Sequence, residues 1–281
     1  MKTAIAIIKH TFSLIFNHIG VALRITIPWF LIMVGVVLGG AFFLSSGTAL
    51  TVTNETATNP VLFWVLFPVI FIVMLYAFFS CAIGWHRYIL LDEAPSSIFA
   101  MPPKGLVWPY AKKSLIIALY TLLVAFVCFG LLFLAVFILP MLGVFGLVLP
   151  FVMLFFIQYL IMRMGIALPA SALGEEEFTV KAAWELTKND TSTIFFTSFF
   201  STLLFMAISL IIQYFTASNV LMEAAYDPFS LDPSLVDPEM INQTPSAFGY
   251  VVQAIFNWFY FIFGFGVLTT LYGVIVQKRE I

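Results

Sequence analysis

The chain alternates between long stretches without charged residues and short polar segments. No Asp, Glu, Lys or Arg occurs between Lys113 and Arg163, and only Glu55 occurs between Arg24 and Arg87. A membrane-spanning helix needs roughly 20 apolar residues, so each of these intervals is long enough for two crossings. Two further intervals near the C-terminus hold one crossing each. The pattern predicts six membrane-spanning helices, at about 25–46, 61–83, 115–138, 142–162, 192–215 and 249–276.

The residues before the first predicted span follow the periodicity of an amphipathic helix. Lys2, Lys9 and Arg24 lie on the side opposite to the apolar residues. Helices of this kind lie in the plane of the membrane interface, so residues 1–24 are predicted to form an interfacial helix. A second short interfacial helix is predicted over residues 178–188. The apolar face of the first helix consists of Ile5, Ile8, Phe12, Ile15, Ile19 and Leu23.

The composition is that of a chain surrounded mainly by lipid. Hydrophobic residues make up 62% of the 281 residues and charged residues 9%, and the mean hydropathy is +1.08. A soluble domain carries about a quarter charged residues. The predicted fold is therefore an all-α, polytopic membrane helix bundle, in which residues 1–281 form a single membrane domain.

Basic residues are distributed unequally between the two sides of the six predicted spans. All 12 Lys and Arg residues fall on one side, whereas the segments on the other side, which include Glu55 and residues 216–246, carry only acidic charge. Short loops rich in Lys and Arg stay in the cytoplasm. Both termini are therefore predicted to be cytoplasmic. The first span is interpreted as a retained anchor, and a cleavable signal peptide is the alternative.

Short motifs at the ends of the even-numbered spans resemble a known group of membrane proteins. They are Trp85-His86-Arg87-Tyr88 with Leu90-Leu91, Arg163 with Leu168-Pro169-Ala170, and Ala183-Trp184 with Thr187 and Asn189. The group is that of the uncharacterised six-helix inner-membrane proteins of bacteria, related to the membrane domain of glycerophosphoryl diester phosphodiesterases. The resemblance implies a bacterial inner-membrane location. Catalytic residues are not carried over, because no segment outside the predicted spans is long enough to hold the phosphodiesterase domain.

The sequence offers no strong catalytic or metal-binding motif. Cys81 and Arg87 have the spacing of a cysteine phosphatase loop, but Cys81 lies in a predicted membrane helix, where burial disfavours the reactive thiolate. The three histidines, His10, His18 and His86, have no Cys or carboxylate partner at zinc-ligand spacing. No catalytic residue, cofactor or metal is predicted. A non-enzymatic role is favoured, and an enzyme of unfamiliar chemistry is the alternative.

Uncharged polar residues within the spans are the candidate lining of a transport cavity. The predicted spans contain no Asp, Glu, Lys or Arg, which counts against an ion-coupled or proton-coupled transporter. Gln158, Gln213 and Asn257 are the candidate lining, with hydrogen bonding between helices as the alternative use. Gly35 and Gly39 form a GxxxG motif, which is interpreted as close helix packing within the bundle in preference to a dimer contact.

Arg87 and Arg163 are the candidate binding site for an anionic lipid headgroup. A guanidinium group binds phosphate oxygens through two parallel hydrogen bonds. Trp85, His86 and Trp184 would complete the rim of this site, and the alternative is that the two arginines only anchor the topology. The leading hypothesis is a non-enzymatic inner-membrane protein that organises lipids or partner proteins, and the second is a permease-like carrier of an uncharged or amphipathic substrate. The expected partners are membrane lipids and a membrane protein or second copy of this chain, with no nucleic acid.

Overall fold

The computed structural model describes residues 2–46, 60–94, 101–138, 145–216 and 247–280, and helices are the only regular elements among them. Within these ranges the nine helices are, in chain order, α1 (Lys2–Asn17), α2 (Ile19–Ser46), α3 (Pro60–Leu91), α4 (Val107–Ile138), α5 (Phe145–Gly165), α6 (Ala167–Leu173), α7 (Val180–Leu186), α8 (Thr191–Thr216) and α9 (Ala247–Ile275).

Six of the described segments are long and apolar enough to cross a membrane, which confirms the predicted all-α bundle with six membrane-spanning helices. Each predicted range overlaps one of them. Consecutive spans pack together as hairpins, α2 with α3 and α4 with α5, and α5 also contacts α8. The candidate spans are Ile19–Val36, Phe67–Leu91, Val107–Leu134, Pro150–Leu173, Thr191–Gln213 and Val251–Ile275.

Several of the long helices continue past the predicted spans into the basic segments, and α3 and α4 do so by about eight residues. α3 ends at Leu91 instead of residue 83, and α4 begins at Val107 instead of residue 115. The sequence prediction ended each span before the nearest Lys or Arg, whereas Arg87 and Lys113 both lie inside a helix. Each donates a hydrogen bond to a backbone carbonyl at or just after the end of α6. A cation that donates to a backbone carbonyl in this way can lie within a helix and does not mark its end.

α6 is a short helix enclosed by α3, α4 and α9 at one end of the bundle. Five of its seven residues are buried, and most of these are alanine or serine, whose small side chains let the larger helices approach. Just before it, a Cβ atom on Gly165 would lie 2.9 Å from Leu268 Cδ2 of α9, so a larger residue at this position would displace the Leu268 side chain. Gly174 then ends α6 with a left-handed backbone (φ 88°) that favours glycine.

Arginine side chains at this end of the bundle bind the C-terminal carbonyl groups of other helices. Arg87 Nη1 donates to the oxygen of Ala172 in α6 at 2.9 Å. Arg279 Nη2 donates to the oxygen of Leu90 in α3 at 3.1 Å. The last carbonyls of a helix have no partner in their own helix and carry partial negative charge, so a guanidinium group stabilises them. The end that carries Arg87, Arg163 and Arg279 is called the basic end below.

α1 contacts α8 and α9, but the face that it buries differs from the predicted apolar face. The buried side chains are Ala4, Ile7, Thr11 and Ile15, and only Ile15 belongs to the predicted set. The reason is steric, because Gly266 of α9 leaves room that the small side chain of Thr11 enters. Of the larger apolar side chains of the predicted face, Ile8 and Phe12 are half-buried against the core, whereas Ile5 and Ile19 are exposed.

Polar contacts join the C-terminal half of α1 and the residue after it to α3 and α9. Thr11 Oγ1 lies 3.2 Å from Thr270 Oγ1 of α9, and His18, which follows α1, lies 2.8 Å from the hydroxyl of Tyr88 in α3. Two residues before Tyr88 in α3, His86 Nδ1 lies 2.8 Å from Oγ1 of Thr269, the neighbour of Thr270. This part of α1 therefore crosses the bundle at its basic end. The position of α1 in a membrane interface stays a prediction.

Gly35 and Gly39 of α2 meet no neighbouring helix among the described residues. A Cβ atom on either glycine would have no atom within 4 Å. The predicted packing of this GxxxG motif within the bundle is therefore not found in the part of the chain that the structure describes. A contact with a second copy of the chain stays a prediction.

Candidate functional site

A groove opens at the basic end, between α4 on one side and α5 with α7 on the other. Its volume is about 850 Å³. Fourteen residues from α4, α5, α7 and the segment between α6 and α7 line it, and they divide into an apolar floor and a polar mouth. This space is called the α4–α7 groove.

The floor of the α4–α7 groove is made by one face of α4 and one face of α5. Ile116, Tyr120 and Val124 follow each other at four-residue spacing, and so do Leu160 and Met164 across the groove. Residues four apart lie on the same side of a helix. With a rise of 1.5 Å per residue, the α4 face is about 12 Å long. The groove therefore offers an elongated apolar surface that runs from the basic end toward the middle of the spans.

The mouth of the groove carries cations. Lys112 at the start of α4 and Lys181 in α7 are exposed, and Lys113 Nζ donates to the backbone oxygen of Glu175 at 3.1 Å. The ion pairs within the described ranges are Arg87 with Glu93 and Lys188 with Glu185, so Lys112 and Lys181 have no ion-pair partner there. Trp108, which is 76% exposed, and the carboxylate-bearing Glu176 complete the polar mouth.

Arg163 fixes the wall that α7 contributes to the groove. Its guanidinium group donates three hydrogen bonds, from Nε to Thr187 Oγ1 at 2.9 Å, from Nη1 to the hydroxyl of Tyr159 at 2.9 Å, and from Nη2 to the oxygen of Trp184 at 3.1 Å. It also stacks on the Trp184 ring, 3.7 Å from its centroid. Because Arg163 is only 7% exposed and all its nitrogens are used, it joins α5 to α7 and does not face the groove.

α7 itself is positioned by local sequence. The Thr179 hydroxyl accepts a hydrogen bond from the backbone N–H of Ala182, which caps the start of the helix. The helix lies within the predicted range 178–188, so its helical character is confirmed. Near its end, the Glu185 carboxylate pairs with Lys188, and this hydrogen bond lowers the pKa of Glu185.

Two residues of the predicted headgroup rim are enclosed in the protein. Trp85 and His86 of α3 are both 0% exposed. The hydroxyl of Thr269 donates to the oxygen of Phe265 at 2.7 Å, so it accepts from His86 Nδ1 at 2.8 Å. That assigns the ring proton to Nδ1 and leaves Nε2 to accept from the Tyr110 hydroxyl at 3.3 Å. The predicted rim differs from this arrangement, because close packing of α3 against α4, α6 and α9 covers these side chains.

Arg87 belongs to a different cluster from Arg163. Its Nε donates to Glu93 Oε2 at 2.8 Å, and its Nη1 donates to the oxygen of Ala172. The structure thus places the two arginines in separate contacts, at the end of α6 and at α7. Of the five residues predicted for the headgroup site, only Trp184 lines the α4–α7 groove.

Sequence reasoning missed the lysines of the groove as a binding site. In the sequence analysis, Lys112 and Lys181 were used only to assign the two sides of the predicted spans. The available signal was local: Trp108 and Lys112 recur at helical spacing in α4, and Lys181 and Trp184 do so in α7. The pairing of these two segments was not visible, because it depends on how α4 packs against α5 and α7.

The candidate transport residues are not brought together by the described contacts. Gln158 in α5 is half-buried. Gln213 is exposed and donates to Ser209 Oγ in its own helix at 2.9 Å. Asn257 is exposed and accepts from Gln253 Nε2 in its own helix at 3.0 Å. Gln213 and Asn257 bond within their own helices, and none of these contacts joins two of the three candidate residues.

The structure does not support the phosphatase-like spacing of Cys81 and Arg87 as a catalytic site. Cys81 is buried and its Sγ lies 3.7 Å from the backbone oxygen of Ile25. Arg87 turns toward Glu93 and α6, away from any arrangement with Cys81 like that of a phosphatase loop. Among the described residues no group of three His, Cys, Asp or Glu side chains is placed to hold a metal ion.

No protein-family model matches the chain, and no curated protein or solved structure is significantly similar to it. The residues of the α4–α7 groove are therefore the starting point for its function.

Proposed function

We propose that this chain is a non-enzymatic membrane protein that binds anionic lipid in the α4–α7 groove and organises lipid at the basic end of the bundle. The observation that carries the proposal is the division of the groove lining. Lysines without an ion-pair partner among the described residues lie at the mouth, and an apolar floor continues beneath them. A phosphate headgroup is attracted by the lysines, and an acyl chain is covered by the floor.

The position of the groove along the bundle supports a lipid in preference to a soluble anion. Trp108 and Trp184 lie at the mouth with the lysines, and tryptophan is enriched at the level of lipid headgroups. Each lysine near an anionic membrane surface contributes about 1 kcal/mol of attraction. The floor adds apolar area, which contributes about 25 cal/mol for each Å² that a chain covers.

The proposal includes a location and an orientation. Basic loops are retained in the cytoplasm, so the basic end and both termini are assigned to the cytoplasmic side. The motifs at Trp85, Arg163 and Ala183 support a bacterial inner membrane and a relation to the membrane domain of glycerophosphoryl diester phosphodiesterases. A membrane-protein partner or a second copy of the chain is a further proposed ligand, for which the open Gly35 and Gly39 stripe is the support.

The test removes the two unpaired lysines and measures lipid binding. Purified Lys112→Gln/Lys181→Gln protein is titrated with short-chain phosphatidylglycerol, and the bound lipid is counted by native mass spectrometry. Because two attractions of about 1 kcal/mol are lost, the affinity is expected to fall about tenfold to thirtyfold.

The matched control is Lys104→Gln/Lys278→Gln, which removes the same charge from exposed positions outside the groove. It should keep nearly the affinity of the unaltered protein. An equal loss of affinity in both double variants would show that only net charge matters and would refute the groove as the site.

A further inference from the structure

One cation of the α4–α7 groove is enclosed by the protein. Lys113 lines the groove but is only 8% exposed, whereas the preceding residue, Lys112, is exposed. An ammonium group has three N–H donors. Among the described residues Lys113 Nζ uses one of them, which binds the backbone oxygen of Glu175 at 3.1 Å. The remaining donors are therefore available to a ligand in the groove.

The positive charge of Lys113 is not matched by an ion pair. Neither of the ion pairs within the described ranges includes it. Glu175 and Glu176 attract the ammonium group from beyond ion-pair distance, and the carboxylate of Glu175 also accepts from the hydroxyl of Tyr272. Burying a charge without a close partner is unfavourable, so an anion beside Lys113 would stabilise it.

The fold holds the ammonium group beside the apolar floor. The N–H of Glu175 donates to the oxygen of Ala170 at 3.0 Å, and its Oε2 accepts from Tyr272 at 2.8 Å, so the carbonyl that Lys113 binds is fixed. Ile116, the first residue of the floor on α4, follows Lys113 by three residues and lies on the same side of the helix. A phosphate group at Lys113 would therefore have the floor beside it for an acyl chain.

The charged residues that line the groove leave about two positive charges. The lysines are Lys112, Lys113 and Lys181, and the one carboxylate in the lining is that of Glu176. A phosphate monoester carries about 1.5 to 2 negative charges at neutral pH, whereas a phosphodiester carries a single one. We infer that Lys113 binds the headgroup phosphate directly and that the groove prefers an anionic lipid with a phosphate monoester headgroup, such as phosphatidic acid. This inference rests on the proposed function and assigns the class of headgroup.

Lys113 contributes more to this preference than the exposed lysines do. Two charges attract each other more strongly where protein excludes water than at an exposed surface. Salt also screens exposed charges more than enclosed ones. The additional negative charge of a monoester therefore interacts most strongly with the enclosed ammonium group, whereas Lys112 and Lys181 attract both classes of lipid to the groove.

The test compares phosphatidic acid with phosphatidylglycerol of the same short acyl chains. Each lipid is titrated into the full-length protein at pH 7.5, and the bound lipid is counted by native mass spectrometry. The unaltered protein is expected to bind phosphatidic acid about fivefold more tightly, because the monoester carries the larger charge. Equal affinities, or tighter binding of phosphatidylglycerol, would overturn the inference.

Lys113→Gln removes the positive charge and keeps an N–H donor for the carbonyl of Glu175. The preference for phosphatidic acid should fall to about twofold or less. Lys112→Gln is the matched control, because it removes the same charge from the adjacent, exposed position. It should weaken the binding of both lipids and keep a preference of at least about threefold. An unchanged preference in Lys113→Gln, or an equal fall in both variants, would show that Lys113 does not bind the phosphate.

Glu176→Gln tests the charge argument without altering Lys113, so it also serves if Lys113→Gln does not fold. Removing the carboxylate raises the positive charge of the groove, which favours the more highly charged monoester. The preference should rise about twofold. Glu177→Gln makes the same change at an exposed position outside the groove and should leave the preference unchanged. A preference that stays constant or falls in Glu176→Gln would contradict the inference.

The same measurements separate this inference from the function on which it rests. Weaker binding of both lipids in Lys112→Gln/Lys181→Gln, together with equal affinities for both in the unaltered protein, would keep the lipid site and reject the headgroup preference. Unchanged binding of both lipids in that double variant would reject the lipid site itself. Glycerol 3-phosphate, which is the same headgroup without acyl chains, should displace phosphatidic acid only weakly. Displacement at equal concentration would assign the groove to a soluble phosphate monoester and reject a lipid ligand.

Discussion

Arg163 shows how a cation near the end of a membrane helix can act inside the protein. Phosphate binding requires the guanidinium group to reach the surface, but this group is enclosed by Tyr159, Trp184 and Thr187. Its three hydrogen bonds use the planar, forked shape of the guanidinium group, and its face stacks on an indole. A lysine has neither the fork nor the flat face.

Replacing Arg163 by lysine is therefore expected to destabilise the bundle. A hydrogen bond to a charged group contributes about 1.5–3 kcal/mol, and the substitution loses up to two of them with the stacking contact. Unfolding in detergent micelles should show a loss of at least about 2 kcal/mol. Arg279→Lys, in which an exposed arginine with one hydrogen bond is changed, is the control and should lose less than half as much. Equal stability of Arg163→Lys and the unaltered protein would contradict this account.

At the scale of elements, α1 and α9 approach closely because of one glycine. A Cβ atom on Gly266 would lie 2.8 Å from Thr11 Cγ2 and 3.7 Å from Ile15 Cδ1. Thr11 cannot turn away freely, because its hydroxyl bonds to the oxygen of Ile7 at 2.9 Å and contacts Thr270. The contact holds an amphipathic helix against a membrane span.

Gly266→Ala is expected to destabilise the α1–α9 contact by about 1–3 kcal/mol, the usual range for overpacking. Thr11→Ser removes the methyl group that clashes and keeps the hydroxyl, so the double variant should recover most of the lost stability. The measurement is the free energy of unfolding for both single variants and the double variant. Gly264→Ala is the control, because a Cβ atom there meets nothing within 4 Å. A loss in Gly264→Ala equal to that in Gly266→Ala, or no recovery in the double variant, would show that this contact is not the cause.

At the scale of the whole molecule, the basic end has two roles that reinforce each other. Its cations stabilise helix ends and lie at the mouth of the α4–α7 groove. The same cations determine the orientation that is proposed for the bundle, since basic segments resist translocation. A groove for anionic lipid at this end would face the cytoplasmic leaflet, whose surface is negatively charged.

Reporter fusions test this orientation. Fusions after Lys113, Lys188 and Arg279 are expected to report the cytoplasm, whereas fusions near Asn54 and Asp232, which lie outside the described residues, should report the opposite side. The measurement is the activity of a reporter that works on one side of the membrane only, compared with a second reporter that works on the other. An external signal at Lys188 would contradict both the orientation and the assignment of the groove to the cytoplasmic leaflet.

The sequence by itself determined the six spans, the all-α class and the short helix before α8. These are properties of single segments, because a helix in lipid satisfies its backbone hydrogen bonds within itself and needs only length and apolarity. The interfacial face of α1 was predicted less well. Hydrophobicity selects the large residues, including Ile5 and Phe12, whereas packing against Gly266 selects the small Thr11.

The tertiary structure alone decided which side chains share a site. Lys112 and Lys181 belong to separate segments and meet at one groove because α4 packs against α5 and α7. His86 and Arg163, both predicted to face a headgroup, are instead enclosed by partners from other helices. Contacts between distant segments depend on the packing of several helices at once, and helical periodicity within one segment carries no information about which neighbour will cover a given face.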